Sequence, residues 1–360
     1  MGEKTSISWC DSTFNPWRGC AKVSPGCAHC YAETLSRRNP SVLGEWGPDG
    51  MRVVASEAKW REPEAWDRVA VAMGGRLRVF CASLADVFED WPGPMVSAKG
   101  LPLWWCRGSL ASSPIPSAGL PEGCRLATMA DVRERLWQLI RDTPHLDWLL
   151  LTKRPENWRK CWPLRPVPGH VSRNEGDGKR RERFPNVWLG VSVEDQARAD
   201  ERIPRLLETP AAVRFISAEP LLGPVDLTRL IYRGEWLNPL DTANNMAAPL
   251  IDWVIVGGES GPGARPCYLP HVQGLVDQCR AAGVACFVKQ LGSRPVLPHD
   301  RACYDDPGPG HGRPGLICDG SHPLRLRDPK GGDSAEWPVS LRVREFPTSL
   351  AAGGEEVGRV

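Results

Sequence analysis

The sequence predicts an α/β protein built as a partial or complete (βα) barrel with Pro/Gly-rich insertions. Short apolar runs recur from residue 76 onward, each ending in polar or charged residues. Amphipathic stretches of helical period lie between several of them. The runs are continuously apolar rather than alternating, as strands are when both faces of a parallel sheet are covered.

The runs are RLRVFCASLADVF (76–88), LDWLLLTKRPEN (146–157), NVWLGVSVEDQ (186–196), AVRFISAEPLLGP (212–224), IDWVIVGGESGPG (251–263) and GVACFVKQLG (283–292). Their apolar parts are too short for helices and rich in Val, Ile, Phe and Trp, so they read as buried strands. ISW (7–9) supplies a first strand, for about seven units in all. Among the helices, 130–142 places Val132, Leu136, Leu139 and Ile140 on one stripe. The segment 195–209 opens with acids and ends in Leu206 and Leu207. The segment 269–283 carries Val272, Leu275, Val276 and Cys279 and stops at Gly283. Strands alternating with helices imply right-handed βαβ units. Closure of a sheet is not encoded locally, so an open doubly wound sheet is the alternative.

Residues 1–292 form the predicted barrel domain, with insertions at about 92–128 and 165–185. Residues 293–360 form a C-terminal extension or lid. Long stretches of this kind are lids, binding loops or disordered segments. Basic residues in the second insertion (GKRRER) read as a solvated face, or as a surface for a nucleic-acid backbone.

Composition narrows the class. Hydrophobic residues make up 41% and charged residues 24% of the 360, ordinary for a globular protein. A net charge of +2 creates no field that argues for nucleic acid or membrane. The polar start MGEKTSISWC lacks the apolar segment of a signal peptide, and no run reaches the ~18 apolar residues of a membrane helix. The expectation is a cytoplasmic protein without a membrane partner. There, the thirteen cysteines read as thiols and metal ligands rather than a disulfide framework, with Cys81 and Cys286 as small buried hydrophobes.

Three cysteines stand apart. NPWRGCAKVSPGCAHCYAE sets Cys20, Cys27 and Cys30 in a C-x6-C-x2-C pattern just after the first strand. Pro16, Gly19, Pro25 and Gly26 forbid regular structure there, so the thiols share a compact loop. Three thiolates can hold three irons of a [4Fe–4S] cluster and leave the fourth open to S-adenosylmethionine (SAM). The alternative is zinc, with His29 or Cys10 completing a four-ligand set. A second group, Cys303, His311, Cys318 and His322, matches no common zinc module.

NPWRGC-(x6)-CAHCYAE, together with LTKRPENW, WLGVSVEDQ, FISAEPLLGP, WVIVGGESGPGARP and FVKQLG, resembles the phage- and mobile-element-encoded three-cysteine-motif family. That family is a domain of unknown function, distantly similar to radical SAM enzymes. The resemblance spans most of residues 5–292, with a weaker match around EWPVSLRVREFP. It implies a barrel of the radical-SAM type and a separate three-Cys-motif partner protein. Radical SAM enzymes space the first two cysteines by three residues, against six here.

Catalytic groups of (βα) barrels gather at the C-terminal ends of strands. Those positions hold Ser83 and Asp86, then Thr152, Lys153 and Arg154, then Ser192 and Glu194. Glu219, the turn Gly257-Gly258-Glu259-Ser260, and Lys289 follow. Glu259, beside two glycines, is a candidate acceptor for the SAM ammonium or ribose, as are Ser83 and Asp86. Lys153 and Arg154 suit the SAM carboxylate or a substrate phosphate, and Glu219 or Lys289 acid–base work. The expected function is a radical-SAM-like iron–sulfur enzyme that cleaves SAM to start radical chemistry on an unknown substrate, with a nucleotide or nucleic acid as candidates. The alternative is a non-catalytic iron–sulfur or zinc module acting with a partner protein in phage nucleic-acid processing or defence. A third reading is a SAM-independent enzyme that uses Glu219 and Lys289.

Overall fold

The computed structural model describes residues 5, 7–106, 109–111, 115, 119–166, 179–241, 251–297 and 322–347. Its central sheet has seven strands: β1 (Ser12–Thr13), β2 (Leu77–Cys81), β3 (Leu146–Thr152), β4 (Val187–Ser192), β5 (Val213–Ala218), β6 (Trp253–Gly257) and β7 (Ala285–Gln290). They lie side by side in chain order, and every neighbouring pair is parallel. No winding direction reverses, so this is not the doubly wound arrangement. The sheet curls into a half-barrel, with β1 and β7 as its outer strands. A complete barrel is therefore not formed.

Among the described residues, five helices of eight or more residues accompany the sheet: α1 (Tyr31–Arg38), α2 (Glu62–Ala72), α3 (Met129–Asp142), α4 (Gln196–Leu207) and α5 (Leu269–Ala282). Their ends follow local chemistry. Thr128 and Asp131 form a reciprocal capping box at the start of α3, and Asp195 accepts from Arg198 N (2.9 Å) at the start of α4. Gly283 ends α5 in the left-handed conformation (φ 68°). The apolar stripes of α3 and α5 join the outer face of the sheet in one large core.

The concave face carries a second core of its own, built around Trp9, Phe80, Phe215, Trp253 and Phe287. Trp9 lies 4.6 Å from the ring of Phe80 and 6.2 Å from that of Trp253, so one indole reaches from the β2 side of the curl to β6. This explains why residues 7–9 are not the expected strand. Residues 8–9 form a turn, Cys10 N donates to Ile7 O (3.4 Å), and the strand begins at Ser12. The apolarity of ISW fills the inside of the curl instead of pairing.

The insertions are structured in part. Within 92–128, strands Trp104–Cys106, Ser109–Ala111 and Cys124–Leu126 form an antiparallel sheet in which Cys106 faces Cys124. Those two are joined by a disulfide, so the all-thiol reading fails for this pair. Cross-strand pairing brings the sulfurs together across a sequence separation of 18, which spacing alone does not reveal. In the second insertion Leu164–Pro166 pairs with Lys179–Arg181, and the residues between lie outside those described. Cys303, His311 and Cys318 also lie outside the described residues; His322 is exposed in a two-residue strand.

The C-terminal segment returns to the sheet. Trp337 and Leu341 are buried, Val288 N donates to Val343 O (2.8 Å), and Glu345 N donates to Cys286 O (2.8 Å). Residues 343–345 thereby cover the free edge of β7, which would otherwise present unpaired backbone groups. Among the described residues, no helix is long and apolar enough to cross a membrane.

Trp253 contacts Trp9, Trp188, Phe215, Phe287 and Phe346 and is fully buried. Trp253→Ala is expected to destabilise the fold by about 3–5 kcal/mol in chemical denaturation. Trp236→Ala, on an exposed hairpin, should change stability by no more than about 0.5 kcal/mol.

Candidate functional site

The loop of residues 19–30 lies against residues at the C-terminal ends of the strands. Gly19 opens it with φ 110°, a conformation that favours glycine, and a Cβ there would press on Met51 O. Pro25–Cys27 form a single 3-10 turn, and Cys30 sits at the N-terminus of α1. A segment so rich in Pro and Gly cannot satisfy its own backbone groups through regular structure, so they need outside partners.

Three pairs of a carboxylate and an arginine supply them. Glu89 Oε1 accepts from Ala21 N (3.1 Å), while Arg52 grips the same carboxylate through two bonds of 2.7 and 2.8 Å. Glu194, with no exposed surface, accepts from Gly26 N (3.2 Å) and the Ser24 hydroxyl, and pairs with Arg202 (2.7 Å). A Cβ on Gly26 would fall 2.6–2.9 Å from the Glu194 carboxylate, so only glycine permits this approach. Glu259 binds His29 Nδ1 (2.9 Å) and Arg265 (2.6 Å), and Arg265 Nη1 donates onward to Pro25 O (2.9 Å). Burial opposes the charge on Glu259, but Arg265 and His29 hold its carboxyl below the usual range.

A buried network stands behind Cys20. Asp86 accepts from the Thr152 hydroxyl (2.8 Å), Lys153 N (3.0 Å) and Arg154 Nη1 (3.1 Å). Arg154 also donates to Ala21 O (2.7 Å), Glu89 (3.3 Å) and Cys20 Sγ (3.3 Å). Burial pushes the Cys20 thiol up to about 12, with Arg154 pulling the other way.

A separate row of polar groups continues the concave face toward the same end. Successive residues of a strand alternate sides. Lys153, Ser192, Ser217 and Lys289 thus follow the inward-facing Leu149, Trp188, Phe215 and Phe287, each by an even step. Lys153 Nζ donates to Ser192 Oγ (3.0 Å), Lys289 Nζ pairs with Glu219 (3.0 Å), and Ser217 Oγ donates to Glu219 (3.4 Å). Gly257 completes the row, since a Cβ there would come within 2.6 Å of Glu219.

The expected site residues therefore divide. The structure brings Lys153, Ser192, Glu219, Gly257 and Lys289 together. It places Asp86, Thr152 and Arg154 in the buried network, and Glu194 and Glu259 against the cysteine loop. Ser83 Oγ accepts from Asn15 Nδ2 (3.0 Å), Gly258 packs on Leu291, and Ser260 is half-buried in the following turn. Sequence reasoning missed Ser217, Glu89, Arg52, Arg202 and Arg265. Ser217 was within reach, two residues before Glu219 on the same face. Arg52 lies 37 residues from its partner Glu89, whereas Arg202 and Arg265 lie only 8 and 6 residues after theirs.

Cys20, Cys27 and Cys30 are free, half-buried thiols. Carboxylates hold the loop backbone, and a guanidinium meets Cys20. Three thiols on one loop are the donor type that an iron–sulfur cluster takes. Among the described residues, no three His, Cys, Asp or Glu side chains are gathered as a preformed metal-ligand group. Of the extra ligands in the zinc reading, Cys10 is buried in the inner core with its thiol donating to Ile7 O (3.8 Å), whereas His29 is bonded to Glu259 through Nδ1, which leaves its Nε2 as a ligand atom.

Residues 4–95 and 127–304 match the model of a family described as a protein of unknown function (DUF5131). The break in the match falls on the disulfide-linked insertion. No curated protein and no solved structure matches the chain.

Glu194→Ala leaves the buried Arg202 unpaired and is expected to cost about 3–5 kcal/mol in denaturant unfolding. Gly26→Ala should leave the barrel folded but speed amide exchange across residues 21–30 by about tenfold or more in metal-free protein, the equivalent of about 1.4 kcal/mol of local stability.

Proposed function

We propose, from the premise that the chain belongs to this family of unknown function, that it is a radical-SAM-like iron–sulfur enzyme. One observation carries the reading: a loop with three free thiols is held by groups that follow four strands of a seven-stranded parallel sheet, on the C-terminal side where barrels place their chemistry. Cys20, Cys27 and Cys30 would hold the cluster. When bound, such a cluster supplies an electron for the reductive cleavage of SAM.

The chain's own groups then take distinct parts. Lys153 is the cation of the concave row that no carboxylate matches among the described residues, and with Ser192 it suits a carboxylate or phosphate. Glu219 and Lys289, held as an ion pair with Ser217 on the second carboxylate oxygen, are the groups for acid–base work. Asp86, Glu194 and Glu259, engaged as they are, position the loop rather than touch SAM. A nucleotide or nucleic acid remains the candidate substrate, because Lys153 favours an anionic group. The three-Cys-motif partner stays part of the proposal on resemblance alone.

The test is anaerobic reconstitution with iron and sulfide, followed by a SAM-cleavage assay, beside a Cys20/Cys27/Cys30→Ala variant. The reading predicts a four-iron cluster and 5′-deoxyadenosine in the wild type only. Zinc in place of iron, or a cluster that leaves SAM intact, would reject it. Lys153→Ala is expected to keep its iron and lower kcat/KM for SAM cleavage by about 10- to 100-fold, the loss of one charged hydrogen bond.

A further inference from the structure

Arg154 is almost wholly buried, and its guanidinium is fixed from several sides. Asp86 and Glu89 hold it at 3.1 and 3.3 Å. Neither acid is free to move: Asp86 also accepts from Thr152 and from the backbone of Phe88 and Lys153. Glu89 is bound by Arg52, which is itself fully buried and lies 4.0 Å from the centre of the Trp91 ring. From this fixed position Arg154 reaches both Ala21 O (2.7 Å) and Cys20 Sγ (3.3 Å). Cys27 has a weaker neighbour, the Ser24 hydroxyl at 3.8 Å. The three thiols are therefore unequal, and Cys20 is the one with an arginine aimed at its sulfur.

We propose that Arg154 is a positioning residue for Cys20. It donates an N–H···S hydrogen bond that fixes this ligand and raises the midpoint potential of the bound cluster. The inference rests on the iron–sulfur reading above. It reassigns a residue whose place at a strand end suggested contact with substrate. The physical basis is general: hydrogen bonds to cluster sulfurs and nearby positive charge stabilise the reduced, more negative state. A guanidinium locked by two acids provides this donor without reorganising.

The experiment compares full-length wild type with two variants after anaerobic reconstitution. Arg154→Lys keeps the charge and an ion pair, but its ammonium cannot serve Asp86, Ala21 and Cys20 in one geometry. The double variant Arg154→Met/Asp86→Asn removes one charge of each sign, so the buried network stays balanced and the amide introduced at position 86 keeps an acceptor oxygen. Iron content, circular dichroism and an EPR-monitored redox titration are read for each. The expected result is folded protein with cluster in both variants and a midpoint potential below wild type in each. Loss of iron from the double variant, with iron kept and the potential lowered in Arg154→Lys, also supports the positioning role. Potentials equal to wild type in variants that hold the cluster would overturn it and leave Arg154 as a purely structural ion-pair partner. A wild type that takes up no iron would reject the iron–sulfur reading itself and the inference with it, an outcome distinct from an unshifted potential.

Discussion

Glu89, Glu194 and Glu259 sit at or beyond the ends of three different strands and turn onto one loop, the first two onto its backbone and the third onto the His29 side chain. Each also meets an arginine: Arg52, Arg202 and Arg265. Arranging charges this way inside a protein is costly unless geometry and hydrogen bonding are good. Here the carboxylates accept from the backbone N–H of Ala21 and Gly26, groups that a Pro/Gly-rich loop cannot pair by itself. The arginines complete each acid's coordination, and Arg154 and Arg265 add bonds to the loop carbonyls of Ala21 and Pro25. The position of all three thiols depends on this set of contacts. Removing an acid would strand an arginine as well as free the loop.

The curl of the sheet gives these clamps their common direction. Parallel strands in chain order put all their C-terminal ends on one side, so acids from distant parts of the sequence can converge. Pleating then separates two layers on the concave face. Aromatic residues fill the lower one, and a polar row, Lys153 to Lys289, forms the upper. Gly190 illustrates how tightly the layers fit, since a Cβ at this inward position would meet the ring of Phe215. At the opposite end Phe346 packs on Trp253 and Phe287, and Arg78 stacks on it at 3.9 Å. The half-barrel is thus filled from below by side chains and covered above by the cysteine loop.

The elements governed by local chemistry were legible in the sequence. The six apolar runs from residue 76 onward each hold a strand, and the three expected helices form as α3, α4 and α5, with side-chain caps at the starts of the first two and Gly283 ending the third. Cys81 and Cys286 are buried, as continuous apolar runs require. What sequence could not convey depends on long-range pairing. Ile7 to Trp9 had the composition of a strand but not a partner strand, and Trp9 went to the interior. Cys106 and Cys124 meet only because their strands are neighbours. Arg52 looks like an ordinary surface arginine until the fold aims it at Glu89. The three thiols, by contrast, were conspicuous by spacing and loop chemistry alone. The residues that hold them in place were not.

The distribution of these parts along the chain separates what the family domain contains from what surrounds it. Every acid and arginine of the clamps, the three thiols and the polar row fall within the matched segments. The disulfide-linked hairpin of 104–126 and the strip that covers β7 lie outside them. The first is an elaboration joined to the outer core through Leu103, Leu110 and Ala127. The second protects an edge that an incomplete barrel necessarily leaves open. An arrangement in which the peripheral parts finish the fold, while the matched parts carry the loop and its clamps, concentrates the chemically demanding geometry in the shared domain. That is the pattern expected if the loop and the concave polar row work as one site.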